Sequence, residues 1–356
     1  MFIAWATAAD QDWFDRHFLP AFFVSRDTYV LIESIARASA AVIGLVLLFV
    51  IRPRAGRYVA RNPLLVINGI AAIVLAGVAS EVILEQLHRH AAAQEPIGQE
   101  PRRRVDPRLG WTFVPSRAAT HLESGRLIEY AFDEHGYRVP RAGDHVDADA
   151  RSILFSGESM IVGEGLTWEE SIPAQVGAAV GIQPANLAVS AYATDQAYMR
   201  LQMELPRFRQ PIAVVTVFTP TLFDRNMDDD RPHLGASLIW QPPKKRTRLL
   251  EILRLLVRYR RVATIEQGIA ITRDVLHATT ALARSRGAEP LIVVPQFAPE
   301  QPDEEALRHR ILDDSDLPIV RVELNGLWRI AGDGHPDARA AHAIAEAIAA
   351  RLHPRS

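Results

Sequence analysis

The stretch Arg151-Ser-Ile-Leu-Phe-Ser-Gly-Glu-Ser159 governs the reading of the whole chain. Ser152 to Phe155 carries β-branched and aromatic side chains and no turn former, so it predicts a short strand. The strand stops at Ser156-Gly-Glu-Ser159, and a helical pattern begins a few residues beyond Gly165. A serine at the tip of a strand-to-helix turn stands at the carboxyl edge of a sheet, where backbone N–H groups can be aimed at it. Taken alone, a Gly-x-Ser triplet is usually no more than a turn. The distant Gly332-Asp-Gly-His335-Pro supplies the other half of a candidate pair.

From Arg151 onward the pattern is strand then helix, repeated. Strands are expected at 153–155, 186–189, 212–218, 291–294 and 319–322. Helices are expected near 168–180, 194–205, 249–257, 264–286 and 336–352, the last with Pro336 in its first turn. Continuously apolar strands separated by helices indicate a parallel sheet covered on both faces. Ligands of such sheets sit outside the carboxyl ends of the strands. Ser159 follows the first of these strands and His335 follows the last, so both are expected on one rim.

The chain of 356 residues has a net charge of −2, which argues against a nucleic-acid partner. It contains no cysteine, which excludes disulfides and thiolate metal sites. Its hydrophobic content of 48% is concentrated in the first quarter. Residues 1–28 mix charges with Trp5, Trp13, Phe14, Phe18, Phe22 and Phe23, as an interfacial segment does. They lack the basic start and small-residue cleavage site of a signal peptide. Residues 29–84 hold two apolar runs around Arg52-Pro-Arg-Ala-Gly-Arg57-Tyr-Val-Ala-Arg61. Arginines between two such runs mark a cytoplasmic turn, so a transmembrane helical hairpin with a loop at 52–61 is expected. A buried soluble hairpin is the alternative. Everything after Glu85 then lies on the extracytoplasmic side of the inner membrane. Residues 85–105 read as a linker, 106–150 as a small β-rich lead-in, and 151–356 as the α/β domain.

The residue types at the rim suggest a chemistry. A serine hydroxyl becomes a nucleophile only when a base takes its proton. Histidine suits that role near neutral pH, and a carboxylate on its other nitrogen fixes the tautomer. Asp333, two residues before His335, is near enough to serve. For His335 alone, a capping or surface role would be the simpler account.

Three blocks in this order resemble the SGNH, or GDSL, hydrolase superfamily, in its membrane-anchored bacterial form. Gly157-Glu158-Ser159 is similar to the first block, with Glu in place of the usual Asp. Asn186-Leu-Ala-Val-Ser-Ala-Tyr-Ala-Thr-Asp-Gln196 is similar to the second, which usually carries glycines, and Asp333-Gly-His335-Pro to the last. The resemblance covers about residues 106–352. It implies a three-layer α/β/α sandwich with a five-stranded parallel sheet. It also implies Ser159 as nucleophile, His335 as general base, Asp333 as orienting acid, and ester hydrolysis through an acyl-enzyme. The family's oxyanion hole uses the N–H of the serine (Ser159), the N–H of the block-two glycine (here Ala191) and an asparagine side chain. The block that carries that asparagine is not recognisable. Thr221 falls at its position, and Asn226 is an alternative donor. The acid lies two residues before the histidine rather than the commoner three.

The expectation is therefore a membrane-anchored serine esterase acting on O-acyl groups of an envelope glycan or lipid, without metal or cofactor. A non-catalytic carbohydrate-binding protein on the same scaffold and an O-acyltransferase are the alternatives. Asp228-Asp-Asp230 with His233 reads as a cation site or, more simply, an acidic loop. The basic stretch from Lys244 to Arg261 reads equally as a surface for anionic lipid or polysaccharide and as the solvated face of a helix. Trp111, Tyr137 and Trp168 read as packing residues.

Overall fold

A computed structural model of the chain describes residues 1–19, 26–93, 100–257, 259–297, 299, 302–313 and 316–352. Phe22 and Phe23 of the expected interfacial segment, the middle of the expected linker (94–99), and Arg258 of the basic stretch lie outside the described residues. Two compact units result. One joins Met1–Ile97 to Lys245–Val262, and the other joins Gly98–Lys244 to Ala263–Ser356.

The larger unit is built on one sheet. Its strands are β3 (Ala118–Glu123), β4 (Arg126–Phe132), β5 (Arg138–Val139), β6 (Arg151–Ser156), β7 (Gln183–Asn186), β8 (Gln210–Val217), β11 (Glu289–Phe297) and β12 (Ile319–Leu324). Their spatial order is β12-β11-β8-β6-β7-β5-β4-β3. The five strands from β12 to β7 run parallel, as expected. The sheet has eight strands rather than five because the lead-in does not stand beside it. Strands β3, β4 and β5 extend it as an antiparallel meander, joined through Arg138 opposite Asn186. A separate hairpin, β1 (Arg103–Asp106) with β2 (Gly110–Phe113), precedes them.

The helices of this unit are α6 (Ser159–Val162), α7 (Ile172–Val180), α8 (Thr194–Glu204), α9 (Pro220–Arg225), α11 (Val262–Ser285), α12 (Pro302–Arg308) and α13 (Ala338–Leu352). Right-handed crossovers assign them to faces. The step from β6 to β7 runs one way across the sheet, and the step from β7 back over β6 to β8 runs the other way, so α7 and α8 cover opposite faces. Helix α13 packs against α7 and therefore shares its face. A small pair, β9 (His233–Leu234) with β10 (Trp240–Gln241), lies outside the main sheet. Strands β6, β8 and β11 are buried along most of their length, which is why they read as unbroken apolar runs.

The order of strands reverses at β6, so its carboxyl end is the topological switch point where such sheets hold ligands. Strand β7 differs from its expected position. It pairs over Gln183–Asn186, and the apolar run Leu187 to Val189 follows it. That run is buried without being part of the ladder: Leu187 N–H donates to Phe155 O at 2.8 Å and Val189 N–H to Gly157 O at 3.2 Å.

In the smaller unit, α1 (Phe2–Ala8) and α2 (Gln11–Asp15) are followed by α3 (Arg26–Val46), a wider turn over Leu47–Ile51, α4 (Arg52–Arg61) and α5 (Pro63–Ala93). The expected loop at 52–61 is helical. The helix runs unbroken from α3 through the wider turn into α4, with Val46, Ile51 and Arg52 all in the right-handed helical region, and Pro53 comes just after that wider turn. The break falls at Asn62 (φ −136°, ψ 56°). Helix α3 also packs along α1: Ile3 sits against Gly44, and Arg37 Nε donates to Ala6 O at 3.2 Å. The expected linker is also shorter, because α5 continues to Ala93 and β1 begins at Arg103.

Two stretches, Val30–Arg61 and Pro63–Leu87, are long and apolar enough to cross a membrane. None of the apolar window in the second is buried among the described residues, and its Ile73 and Leu75 are exposed. The unit closes with α10 (Arg248–Leu256), which the sequence had placed in the α/β domain.

Candidate active site

Strand β6 ends at Ser156, and the chain turns through Gly157 into α6, with Ser159 as its first residue. Gly157 is tightly packed: a Cβ there would meet side-chain carbons of Ile161 and Val217 at 3.0 Å, so both would have to give. Glu158 caps the helix, its Oε1 accepting from Met160 N–H at 3.1 Å. The far end of α6 is clamped by two buried side chains. Arg138 donates to Val162 O at 2.7 Å, Gly163 O at 2.8 Å and Leu166 O at 2.7 Å. Asn186, the first residue of the second block, donates to Ile161 O at 3.0 Å. Burial pulls the Arg138 pKa down to about 10, and the guanidinium lies 4.7 Å from the Tyr130 ring.

His335 arrives on the loop between β12 and α13. Three strand spacings, roughly 14 Å, separate β12 from β6, and the residues from Asn325 to Asp337 span them. The loop is tied by Ile330 N–H to His335 O at 2.8 Å and by Arg329 Nη1 to Gly334 O at 2.7 Å. Gly332 and Gly334 take φ of 81° and 87°, a left-handed conformation that admits glycine without cost. The turn presents Asp333 and His335 to one side.

The expected pair meets. His335 Nε2 is 2.8 Å from Ser159 Oγ, and His335 Nδ1 is 2.5 Å from Asp333 Oδ2. With Nδ1–H donated to Asp333, Nε2 is free to accept the serine proton. The two-residue spacing between Asp333 and His335 is therefore no obstacle to the arrangement. Ser159 Oγ also lies within hydrogen-bond reach of Glu158 Oε2.

Two charged groups at this site were missed in the sequence. Glu164 Oε2 lies 3.7 Å from His335 Nε2, and its other oxygen accepts from Ser190 Oγ. Arg225 Nη1 donates at 3.2 Å to Glu158 Oε2 and at 3.2 Å to Tyr192 O. Arg225 lies one helical turn beyond Thr221, and that i, i+4 spacing on α9 was the one available signal for it. Burial by itself would lower the His335 pKa, but the carboxylates of Glu164 and Asp333 outweigh it and raise the value above the ordinary imidazole range. Burial likewise raises the Glu164 pKa, against its hydrogen bond from Ser190 and the pull of His335.

The expected oxyanion donors divide. Among the described residues, the backbone N–H groups of Ser159 and Ala191 have no acceptor within the chain. Ala191 has φ of 63°, the left-handed region in which the glycine usual at this position is at ease. Asn226 is not a donor to the site. Its Nδ2 donates to Thr272 Oγ1 at 2.8 Å and its Oδ1 accepts from Asp195 N–H at 3.2 Å, so it is a buried structural amide. Thr221 sits half-buried in the first turn of α9, with no hydrogen bond to the Ser159 group among the described residues.

Trp111 closes one side, donating Nε1–H to Ser190 O at 3.0 Å and meeting Tyr192 edge-on at 5.7 Å. Of the acidic run, Asp228 pairs with Arg231 at 3.2 Å and Asp229 with Lys244 at 3.3 Å. No group of three or more metal-ligating side chains occurs among the described residues.

No protein-family model matches the chain, and no curated protein matches it. Solved structures do. A member of the lipolytic protein G-D-S-L family from Veillonella parvula aligns at 9% identity over 58% of this chain and 100% of its own, with a TM-score of 0.37. An acetyl xylan esterase from the rumen bacterium Butyrivibrio proteoclasticus aligns at 10% identity over 59% of this chain and 65% of its own, with a TM-score of 0.37. A carbohydrate esterase family 2 enzyme from Corynascus thermopiles aligns at 14% identity over 61% and 68%, with a TM-score of 0.35.

Proposed function

We propose that the chain is a serine esterase of the SGNH type. The observation that carries the reading is the hydrogen-bonded series Ser159 Oγ, His335 Nε2, His335 Nδ1, Asp333 Oδ2, at 2.8 and 2.5 Å, on the rim of a parallel sheet. His335 takes the Ser159 proton as Oγ attacks the ester carbonyl. Asp333 stabilises the imidazolium. The N–H groups of Ser159 and Ala191 receive the developing oxyanion. His335 returns the proton to the leaving alcohol, and an acyl group remains on Ser159. Water, deprotonated by His335, then releases the acid.

The apolar stretches Val30–Arg61 and Pro63–Leu87 support anchorage in a membrane. Arg52, Arg54, Arg57 and Arg61 between their apolar parts favour a cytoplasmic location for that end. The esterase unit then faces the periplasm, and the esters within its reach are O-acyl groups on envelope glycans or lipids. Absence of the side-chain oxyanion donor favours, as a second reading, a scaffold that binds acylated glycans without turnover.

Hydrolysis of 4-nitrophenyl acetate and of O-acetylated sugars by the detergent-solubilised chain tests the proposal, with Ser159→Ala as control. Release of acid by wild type and not by the variant supports it. Release of 4-nitrophenol that depends on an added sugar acceptor, with the acyl group recovered on the sugar and no free acid, would instead indicate transfer. Binding of acetylated sugar without release would leave the binding scaffold.

A further inference from the structure

Helix α10 carries features that the esterase reading does not use. Its first two N–H groups have no partner within the helix, and both go to one carboxylate on α5. Arg248 N–H donates to Glu81 Oε1 at 2.7 Å and Leu249 N–H to Glu81 Oε2 at 3.0 Å. Arg248 Nε donates to Glu85 Oε2 at 3.0 Å, and Arg248 Nη1 reaches Glu251 at 2.5 Å. Beyond the helix the same segment is pinned again. Arg260 N–H donates to His17 O at 2.8 Å, and His17 Nδ1 lies 2.8 Å from Arg260 O. Tyr259 stacks on His17 at 4.8 Å.

Glu81 sits at a defined depth. From Pro63 to Glu81, α5 rises about 27 Å at roughly 1.5 Å per residue, close to the ~30 Å of a bilayer hydrocarbon core. A helix whose amino end is fixed to Glu81 is therefore held at the boundary where α5 leaves the hydrocarbon. The composition of α10 fits that boundary. At about 100° per residue, Leu249, Leu250, Ile252 and Val257 fall on one side, and Arg248, Glu251 and Arg254 on the other. Leu249, Leu250, Ile252 and Val257 are 41–52% exposed, which is unusual for large apolar side chains in sequence succession. Exposed Lys245, Arg254 and Arg261 add positive charge along the same segment.

We infer that α10 lies flat in the headgroup layer of the bilayer that α3 and α5 cross, with its leucine side at the acyl boundary and its basic residues on anionic headgroups. This rests on the spanning reading of α3 and α5. It makes the chain between residues 244 and 263 a second, interfacial attachment and not a surface loop of the esterase unit.

The chain has no cysteine, so single cysteines can be introduced without background. The full chain is reconstituted in phosphatidylcholine vesicles containing phosphatidylglycerol, with an environment-sensitive nitrobenzoxadiazole label at one of Ile73→Cys, Leu250→Cys, Val257→Cys or Arg254→Cys. Nitroxide lipids labelled near the headgroup or deep in the chain serve as quenchers. Ile73 should be quenched by the deep nitroxide. Leu250 and Val257 should be blue-shifted and quenched by the shallow one, and Arg254 should remain water-like. In vesicles of phosphatidylcholine alone, shallow quenching at Leu250 should fall about threefold. A quenched Ile73 with water-like Leu250 and Val257 would overturn the interfacial helix and leave the spanning helices standing. A water-like Ile73 would overturn both. Equal quenching at Leu250 in the two vesicle types would remove the anionic headgroups from the account.

Discussion

Glu164 Oε2 lies 3.7 Å from His335 Nε2, the ring nitrogen that faces Ser159, while Asp333 holds the opposite nitrogen at 2.5 Å. The imidazole therefore stands between two carboxylates, and both favour its charged form. A base must be neutral to take a proton, so the raised His335 pKa places the acid limb of kcat/KM above the ordinary histidine value of about 6.5. Activity should rise with pH through that limb. Glu164→Gln removes one of the raising charges, so the limb should move to lower pH. A pH–rate profile on a neutral ester checks it, and an unmoved or upward-moved limb contradicts it.

Arg225 neutralises Glu158 beside the nucleophile. Arg225→Met leaves an uncompensated carboxylate within reach of Ser159 Oγ, where negative charge develops in the transition state. We expect kcat to fall roughly 10²-fold with little change in KM. Glu158 is among the charges that raise the His335 pKa, so the acid limb should also move upward. Steady-state kinetics across pH tests both effects together.

Much of this arrangement was legible in the sequence, and the reasons are physical. Strands β6, β8 and β11 are buried on both faces, so their apolar runs announce them. Ser159 and His335 follow the first and last parallel strands, and topology alone puts them on one rim. Strand β7 was misplaced because Gln183 and Pro184 do not look like strand residues, whereas Leu187 to Val189 does and is buried for a different reason. Residues 52–61 looked like a loop because four arginines interrupt two apolar runs, yet the helix continues through them as far as Asn62. Glu164 and Glu81 carry no sequence signal beyond their charge, and Arg225 only its spacing from Thr221. Their partners lie 26 to 171 residues away, and only the fold brings them together.

Ala191 is the site's strained alanine. Holding an L-residue in the left-handed region costs about 1–2 kcal/mol, and a glycine loses about 0.5–1 kcal/mol more chain entropy on folding. Ala191→Gly should therefore be neutral to about 1 kcal/mol more stable, with activity retained. The midpoint of thermal unfolding should rise by up to roughly 4 °C. A loss of stability greater than about 1 kcal/mol would contradict the φ of 63°.

Arg138 is a positioning residue for the nucleophile. Three of its four carbonyl acceptors lie at the carboxyl end of α6 or just beyond it, the fourth being Glu129 O at 3.4 Å. Arg138→Met strands them in a buried place, at a cost of about 1–3 kcal/mol for each carbonyl left unpaired. Arg138→Lys keeps the charge but cannot fork to three oxygens. In the lysine variant we expect a folded protein with kcat reduced more than KM is raised, a split that a purely structural role would not produce.

The account stands most directly on the reactivity of one side chain. The full chain in detergent is treated with a fluorophosphonate, digested, and mapped by mass spectrometry. The account predicts one phosphonyl group, on the peptide that contains Ser159, in wild type, and none in folded Ser159→Ala or His335→Ala. Folded wild type left unlabelled, or labelled only at another residue, would contradict it.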